Sequence, residues 1–357
     1  MKEIHQSLTL LLPSITGVAI ASLICQPLLA VAQTPTPAPP SRIPSSCDHT
    51  SASFSISVAP DGTLFALRGT TIYRFDVGAR GDAPPNAVFC FTPKKTEVVS
   101  GFVATRDEVE VLALGAIFAF DRNSRGHVNP LRYIADPEYG AFGKTSLNSR
   151  GSPYQIAVGF DGTTYVLKDT SCHCHAGGYS PDIIVFPPRG NGDIAPIRDI
   201  QPTDPAHPTS ATIALVIALD RKSRLFFLDN SGDLVVSRPG AVEPYAREAH
   251  IALASPSAFA VDDAGTAYVA DRSIIYVVRG ATGAAPAVTK LGGSRTHITN
   301  AEGLATDAKG KLYVKNCAHS SASILVFKPA SSGNTQPLYI LGGARTRLVC
   351  PSPANDP

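Results

Sequence analysis

Residues 181–200 read PDIIVFPPRGNGDIAPIRDI: an apolar run at 183–186, a turn, then Gly192, three residues and Pro196, then a second apolar run at 197–200. β-Branched and aromatic runs bounded by Gly and Pro read as two short strands joined by a tight connection. The composite recurs at Gly81 with Pro85, Gly126 with Pro130, Gly240 with Pro244 and Gly333 with Pro337, and one residue shorter at Gly283 with Pro286. Strand-like runs precede these turns at 72–75, 117–120, 234–236, 274–278 and 324–327. A pattern repeated at this spacing is the mark of a repeat architecture.

Upstream of the composite lies a second shared feature, two short runs around an Asp-containing turn. Examples are Pro60-Asp61-Gly62, Asp161-Gly162, Asp262-Asp263-Ala264-Gly265 and the turn from Asp307 to Gly310. Asp bonds its own following backbone and Gly accepts positive φ, so these carboxylates are turn formers. Two units are degenerate, with Arg106-Asp107-Glu108 and Asp220 to Arg224 at the corresponding turns. Each unit then holds four strands. Such a sheet cannot bury both faces alone, so neighbours must stack around an axis. Residues 54–343 divide into six units of about 48 residues, inside the usual blade range of roughly 40 to 50. The expected fold is all-β, a six-bladed β-propeller of four-stranded blades.

The runs VDDAGTAYVADRSIIYVV at 261–278, VGFDGTTYVLKD at 158–169 and RGNGDIAPIRDI at 189–200 resemble NHL-type repeats of secreted bacterial propellers. More distantly they are similar to the SMP-30 and gluconolactonase-like propellers. The first resemblance implies a binding platform. The second implies a metal-dependent lactonase, and Glu302-Gly303 is its one local echo. Fold alone does not choose between them.

The remaining features bound compartment and partners. Residues 1–32 carry Lys2, an apolar run and Ala30-Val31-Ala32, which fits a cleavable secretory signal. An uncleaved anchor is the rival reading, weakened by Pro13, Ser14, Thr16 and Gly17. Residues 33–53 include TPTPAPPSRIPS at 34–45, an extended Pro-rich tether. The mature protein is therefore expected in the periplasm or outside the cell with no membrane span, and residues 344–357 form a C-terminal tail. A balance of 31 Lys plus Arg against 29 Asp plus Glu gives +2, no electrostatic case for nucleic acid. No Gly-x-Ser-x-Gly elbow, P-loop or dinucleotide fingerprint occurs.

Removing Cys25 with the signal leaves Cys47, Cys90, Cys172, Cys174, Cys317 and Cys350, an even set that permits disulfides in an exported chain. Cys47 precedes the first blade and Cys350 follows the last, so ring closure suggests a Cys47 to Cys350 clasp. Cys90 reads as a buried thiol. Cys172-His173-Cys174-His175 offers soft or borderline ligands for Zn²⁺ or Cu, yet adjacent residues cannot all wrap one tetrahedral ion. Disulfides through Cys172 or Cys174, or an approach to Cys317 and His319 across the axis, stay open.

In a propeller the loops after the second and fourth strands share the channel-mouth face. Candidates there are Lys168, Asp169, Asp229, Asn230, Asp271, Arg272, Lys315 and Asn316, with His297, Asn300 and Glu302 leading into the last blade. Glu302, Asp271, Asp229 and Asn230 could hold Ca²⁺ through oxygens, and metal-bound water could open a lactone. The competing reading makes them turn caps and ion-pair partners. The expectation is a binding or scaffolding module that meets a small-molecule ligand or an envelope protein at this face and requires no cofactor. The alternative is a hydrolase holding Ca²⁺ or Zn²⁺.

Overall fold

The computed structural model describes Cys47 and residues 53–350 except 93–98, 114–115, 136–152, 170–180, 201–202, 205–206, 212–213, 230–231, 238–245, 252–255, 281–285 and 319–320. Six antiparallel four-stranded sheets follow in chain order. Blade 1 holds Ser55–Val58, Leu64–Arg68, Thr71–Phe75 and Ala87–Cys90, and blade 2 holds Val99–Ala104, Glu108–Ala113, Ala116–Asp121 and Arg132–Ala135. Blade 3 comprises Pro153–Val158, Thr164–Asp169, Pro181–Phe186 and Arg198–Ile200, and blade 4 comprises Ala214–Leu219, Leu225–Asp229, Asp233–Ser237 and Ala246–His250. Blade 5 is Ala258–Val261, Ala267–Asp271, Ile274–Arg279 and Ala287–Leu291; blade 6 is Ala301–Thr306, Leu312–Ala318, Ser321–Phe327 and Tyr339–Gly342. The six-bladed propeller read from the repeats is the observed fold. An additional hairpin, Thr203–Asp204 with His207–Ala211, stands between blades 3 and 4.

The first strand of each blade touches that of the next, and the first strand of blade 6 touches that of blade 1, so the ring closes. Each interface between neighbouring blades is an apolar layer. At the seam where the last blade meets the first, Tyr73, Phe75 and Val88 pack with Tyr313, Ile324 and Leu341. These six layers are the core that no single sheet could make, as the stacking argument requires.

The Gly-x3-Pro turn has a role beyond ending a strand. Gly81 pairs in parallel with Leu341, Gly126 with Phe89, Gly192 with Ile134 and Gly333 with Leu291, each the fourth strand of the preceding blade. Gly192 N donates to Tyr133 O at 2.6 Å and Gly333 N to Lys290 O at 2.6 Å. The four glycines have φ between 61 and 81°, and the space beside them is open. Backbone conformation, not crowding, demands glycine there. The repeat motif is thus an outer staple between blades. Gly240 and Gly283 lie outside the described residues.

A second regularity runs across each blade. One cross-strand row joins Phe65, Arg74 and Ala87 in blade 1 and Tyr165, Val185 and Arg198 in blade 3. In blade 6 it joins Tyr313, Val326 and Tyr339. An aromatic occupies the second-strand position in every blade but one. Blade 2 has Glu110 there, with Ala119 and Arg132 completing the row.

The turn aspartates behave as read from sequence. Asp262 Oδ1 accepts from Ala264 N and Thr266 N at 3.0 and 2.8 Å, and Asp307 Oδ1 accepts from Lys309 N and Lys311 N, both at 2.9 Å. Their second oxygens receive the hydroxyls of Tyr268 and Tyr313 at 3.1 and 3.3 Å. Burial, with the nearby carboxylates and, for Tyr313, the Tyr339 phenol, pushes both tyrosines above their ordinary value. In the unfolded chain they ionise near pH 10. Stability from keeping them neutral is therefore intact below about pH 10 and is lost as pH rises beyond it. Thermal melts across the alkaline range should show Tm falling there, less steeply in Tyr268→Phe. An unchanged profile in that variant would exclude this origin.

The expected Cys47 to Cys350 clasp is not formed. Cys47 bridges Cys90 and Cys317 bridges Cys350, with Cα separations of 5.5 and 5.7 Å. Each terminal segment folds back onto its own neighbouring blade, Cys47 onto the fourth strand of blade 1 and Cys350 onto the second strand of blade 6. Cys90 is consequently half of a bridge, not a thiol. Leu348 and Cys350 belong to the seam layer, so packed structure continues past residue 343.

Candidate functional site

The channel mouth is shaped by bulges. In four first strands the register slips by one residue, between Val99 and Gly101, Pro153 and Gln155, Ala214 and Val216, and Ala301 and Gly303. The extra residues Ser100, Tyr154, Leu215 and Glu302 therefore occupy one station in blades 2, 3, 4 and 6. Bulges re-aim side chains at barrel rims and sites. The sequence contains no signal for them beyond Gly101 and Gly303, which follow two of the extra residues.

Glu302 is the best-defined member. Its Oε2 lies 2.8 Å from Lys315 Nζ, and its Oε1 accepts from Asn300 Nδ2 at 3.0 Å. Lys315 is 4% exposed; its ammonium also donates to Ser53 Oγ at 2.8 Å and lies 4.8 Å from the centre of the Phe54 ring. A Cβ at Gly303 would come within 3.2 Å of Lys315 Cβ, so the glycine lets that lysine approach. The buried ammonium is compensated on every side, as a buried charge must be.

The other candidates mostly hold backbone. Asn316 Oδ1 accepts from Thr299 N and Asn300 N at 2.7 and 3.2 Å, while its Nδ2 donates to His297 O at 3.3 Å. It pins the lead-in to blade 6. Asp229 is buried and its Oδ1 caps the following turn by accepting from Asp233 N at 2.8 Å. Asp271 pairs with Ile274 across the two-residue turn Arg272-Ser273, where Arg272 adopts a φ of 54° and its carbonyl accepts from Ala301 N at 2.7 Å. Asp169 ends the second strand of blade 3, opposite Pro181. Asn230 and the loop Cys172-His173-Cys174-His175 lie outside the described residues, as does His319. Cys317 is committed to Cys350. Among the described residues no three His, Cys, Asp or Glu side chains converge as a metal would require.

Asp199, on the outer, fourth strand of blade 3 opposite Ile184, is a partly buried carboxylate that the sequence does not single out. Burial raises its pKa against the pull of Lys168. On the opposite face a shallow crevice, with room for little more than one water molecule, opens at the seam, lined by Leu64, Asp76, Tyr313, Tyr339 and Leu341. None of the mouth residues reaches it.

No protein-family model matches the sequence, and no curated protein matches it. Solved structures do. A protein of unknown function from Bacteroides caccae is 11% identical over 82% of this chain and 99% of its own, with a TM-score of 0.52. The Cps50 (Swd1) β-propeller domain from Myceliophteria thermophila is 10% identical over 84% of this chain and 89% of its own, TM-score 0.49. A gluconolactonase from Xanthomonas campestris is 14% identical over 78% and 95%, TM-score 0.47. Such likeness extends to the β-propeller fold alone.

Proposed function

We propose that the chain is a binding or scaffolding propeller whose ligand face is the channel mouth. The observation that carries this reading is the state of Glu302: both carboxylate oxygens are engaged, by Lys315 and Asn300. A hard cation would have to displace an ammonium from a desolvated pair, and Asp229, the buried candidate on blade 4, caps a turn. The carboxylates thus build the rim and leave the face for recognition. Two disulfides support an oxidising compartment. Among the described residues no helix is long and apolar enough to cross a membrane.

The test pairs elemental analysis of the purified protein with a lactone hydrolysis screen, with and without chelator. Substoichiometric metal and no chelator-sensitive turnover are expected. Stoichiometric Ca²⁺ or Zn²⁺, with turnover abolished by chelator and by Glu302→Gln, would establish the lactonase instead.

A further inference from the structure

The chain segments leaving blades 5 and 6 are copies of one another: GGSRTHI at 292–298 and GGARTRL at 342–348. Their conformations match. Gly293 and Gly343 have φ of 115 and 127°, a single 3₁₀ turn follows at Ser294–Thr296 and Ala344–Thr346, and His297 and Arg347 are left-handed at 60 and 62°. Thr296 and Thr346 are fully buried and donate to Gly293 O and Gly343 O at 2.7 and 2.6 Å. The next blade's Gly-x3-Pro turn caps each segment: Asn334 Oδ1 accepts from Arg295 N, and Asp82 Oδ1 from Arg345 N, both at 2.7 Å.

All of this fixes backbone, while Arg295 and Arg345 are exposed and, among the described residues, have no carboxylate partner. Three arginines, by contrast, are paired: Arg122 with Asp61, Arg132 with Glu108 and Glu110, and Arg224 with Asp220. At the second copy Arg68 and Arg347 flank the hydroxyl of Tyr73, which is 1% exposed. Arg is suited to planar acid groups, which it can meet through two parallel bonds.

We propose that Arg295 and Arg345, held by the two matching segments one blade apart, with Arg347 beside the second, bind successive acid groups of a linear anionic polysaccharide. The inference rests on the binding-module reading and names its ligand chemistry. A duplicated cationic unit in a fixed relation fits a polymer whose charge repeats better than a single small anion. Uronate carboxylates are favoured over a nucleic-acid backbone because the net charge is only +2. Moreover, among the described residues the exposed aromatics are Tyr133 and Phe160, which belong to blades 2 and 3 and not to this arc, so they offer no platform there for bases to stack on.

The experiment uses the full chain and affinity electrophoresis in gels containing polygalacturonate, neutral dextran or polyphosphate, at low and high salt. Retardation by polygalacturonate alone, weakened by salt, is expected. The double variant Arg295→Ala/Arg345→Ala should lose about tenfold or more in affinity with an unchanged Tm, since both side chains are exposed. Equal retardation of wild type and double variant would overturn the site. Stronger retardation by polyphosphate would overturn the polysaccharide. Absence of any retardation would overturn the ligand while leaving the binding-module reading standing, unless the chelator-sensitive lactone turnover described above also appears, in which case both fall.

Discussion

Glu110→Ala is expected to destabilise the propeller by about 3 to 5 kcal/mol, read as a lowered urea midpoint. Glu110 is 2% exposed, and its Oε1 meets Arg132 at 2.7 Å while Oε2 accepts from Thr164 Oγ1 of blade 3 at 3.1 Å. Arg132 also binds Glu108 Oε2 at 2.7 Å and the Gly190 carbonyl at 3.0 Å. The pair therefore ties blade 2 to blade 3 where other blades place an aromatic. Burial pushes the Glu110 carboxyl upward and Arg132 pulls it down. Removing the carboxylate leaves part of a buried guanidinium charge uncompensated and opens a cavity in the row. Two further variants separate charge from volume. Glu110→Gln keeps the shape and should cost less than alanine. Glu110→Met/Arg132→Leu removes both charges and should recover most of the loss, because well-packed apolar replacements of a buried pair are often near neutral. Additive losses in the double variant, or a cost below about 1 kcal/mol for alanine, would mean that the pair is not coupled.

Blade 2 also marks the limit of what the sequence discloses. The Gly-x3-Pro turns and Asp-containing hairpins recur at blade spacing, so the count and order of sheets could be read directly. The degenerate turn at Arg106-Asp107-Glu108 was visible, but its compensation was not. Glu110 and Arg132 meet only because Ala119, small and between them, sits in the same cross-strand row, and that row depends on register. The same holds at the mouth. Asp229, Asp271 and Glu302 were legible as polar residues at strand ends, yet bulges and caps decide which way each points. A one-residue slip at Ala301 to Gly303 aims Glu302 at Lys315, and no composition or spacing foretells it. Closure of the ring was predictable. The path of the terminal segments beyond it was not, so the cysteines were paired across the seam although each bridge lies on one side of it.

That placement leads to the second large effect. Cys317→Ala/Cys350→Ala should lower stability by about 4 kcal/mol on the chain-entropy account of a loop this long. The bridged residues are 33 apart, and those of Cys47 to Cys90 are 43 apart, so the two bridges should contribute similarly to the unfolded state. Their native contexts differ. Cys350 and Leu348 pack in the seam layer with Phe54, Tyr73 and Tyr313. Losing the Cys317 bridge frees a segment that covers the junction between first and last blades, whereas among the described residues no disulfide crosses that junction: it is held by the apolar layer and by hydrogen bonds, among them Gly81 N to Ile340 O at 2.7 Å, Gly342 N to Gly81 O at 2.9 Å and Arg345 N to Asp82 Oδ1 at 2.7 Å. The Cys317 pair should therefore also raise amide exchange at Tyr73, Val88 and Leu341 while leaving blades 3 and 4 unchanged. Reductant added to the wild type should shift the urea midpoint at least as far as the double variant does. Non-reducing peptide mapping decides the pairing itself: a Cys317 to Cys350 peptide is expected, and a Cys47 to Cys350 peptide would overturn it. A midpoint indifferent to reductant would show that seam packing alone, without either bridge, carries the closure.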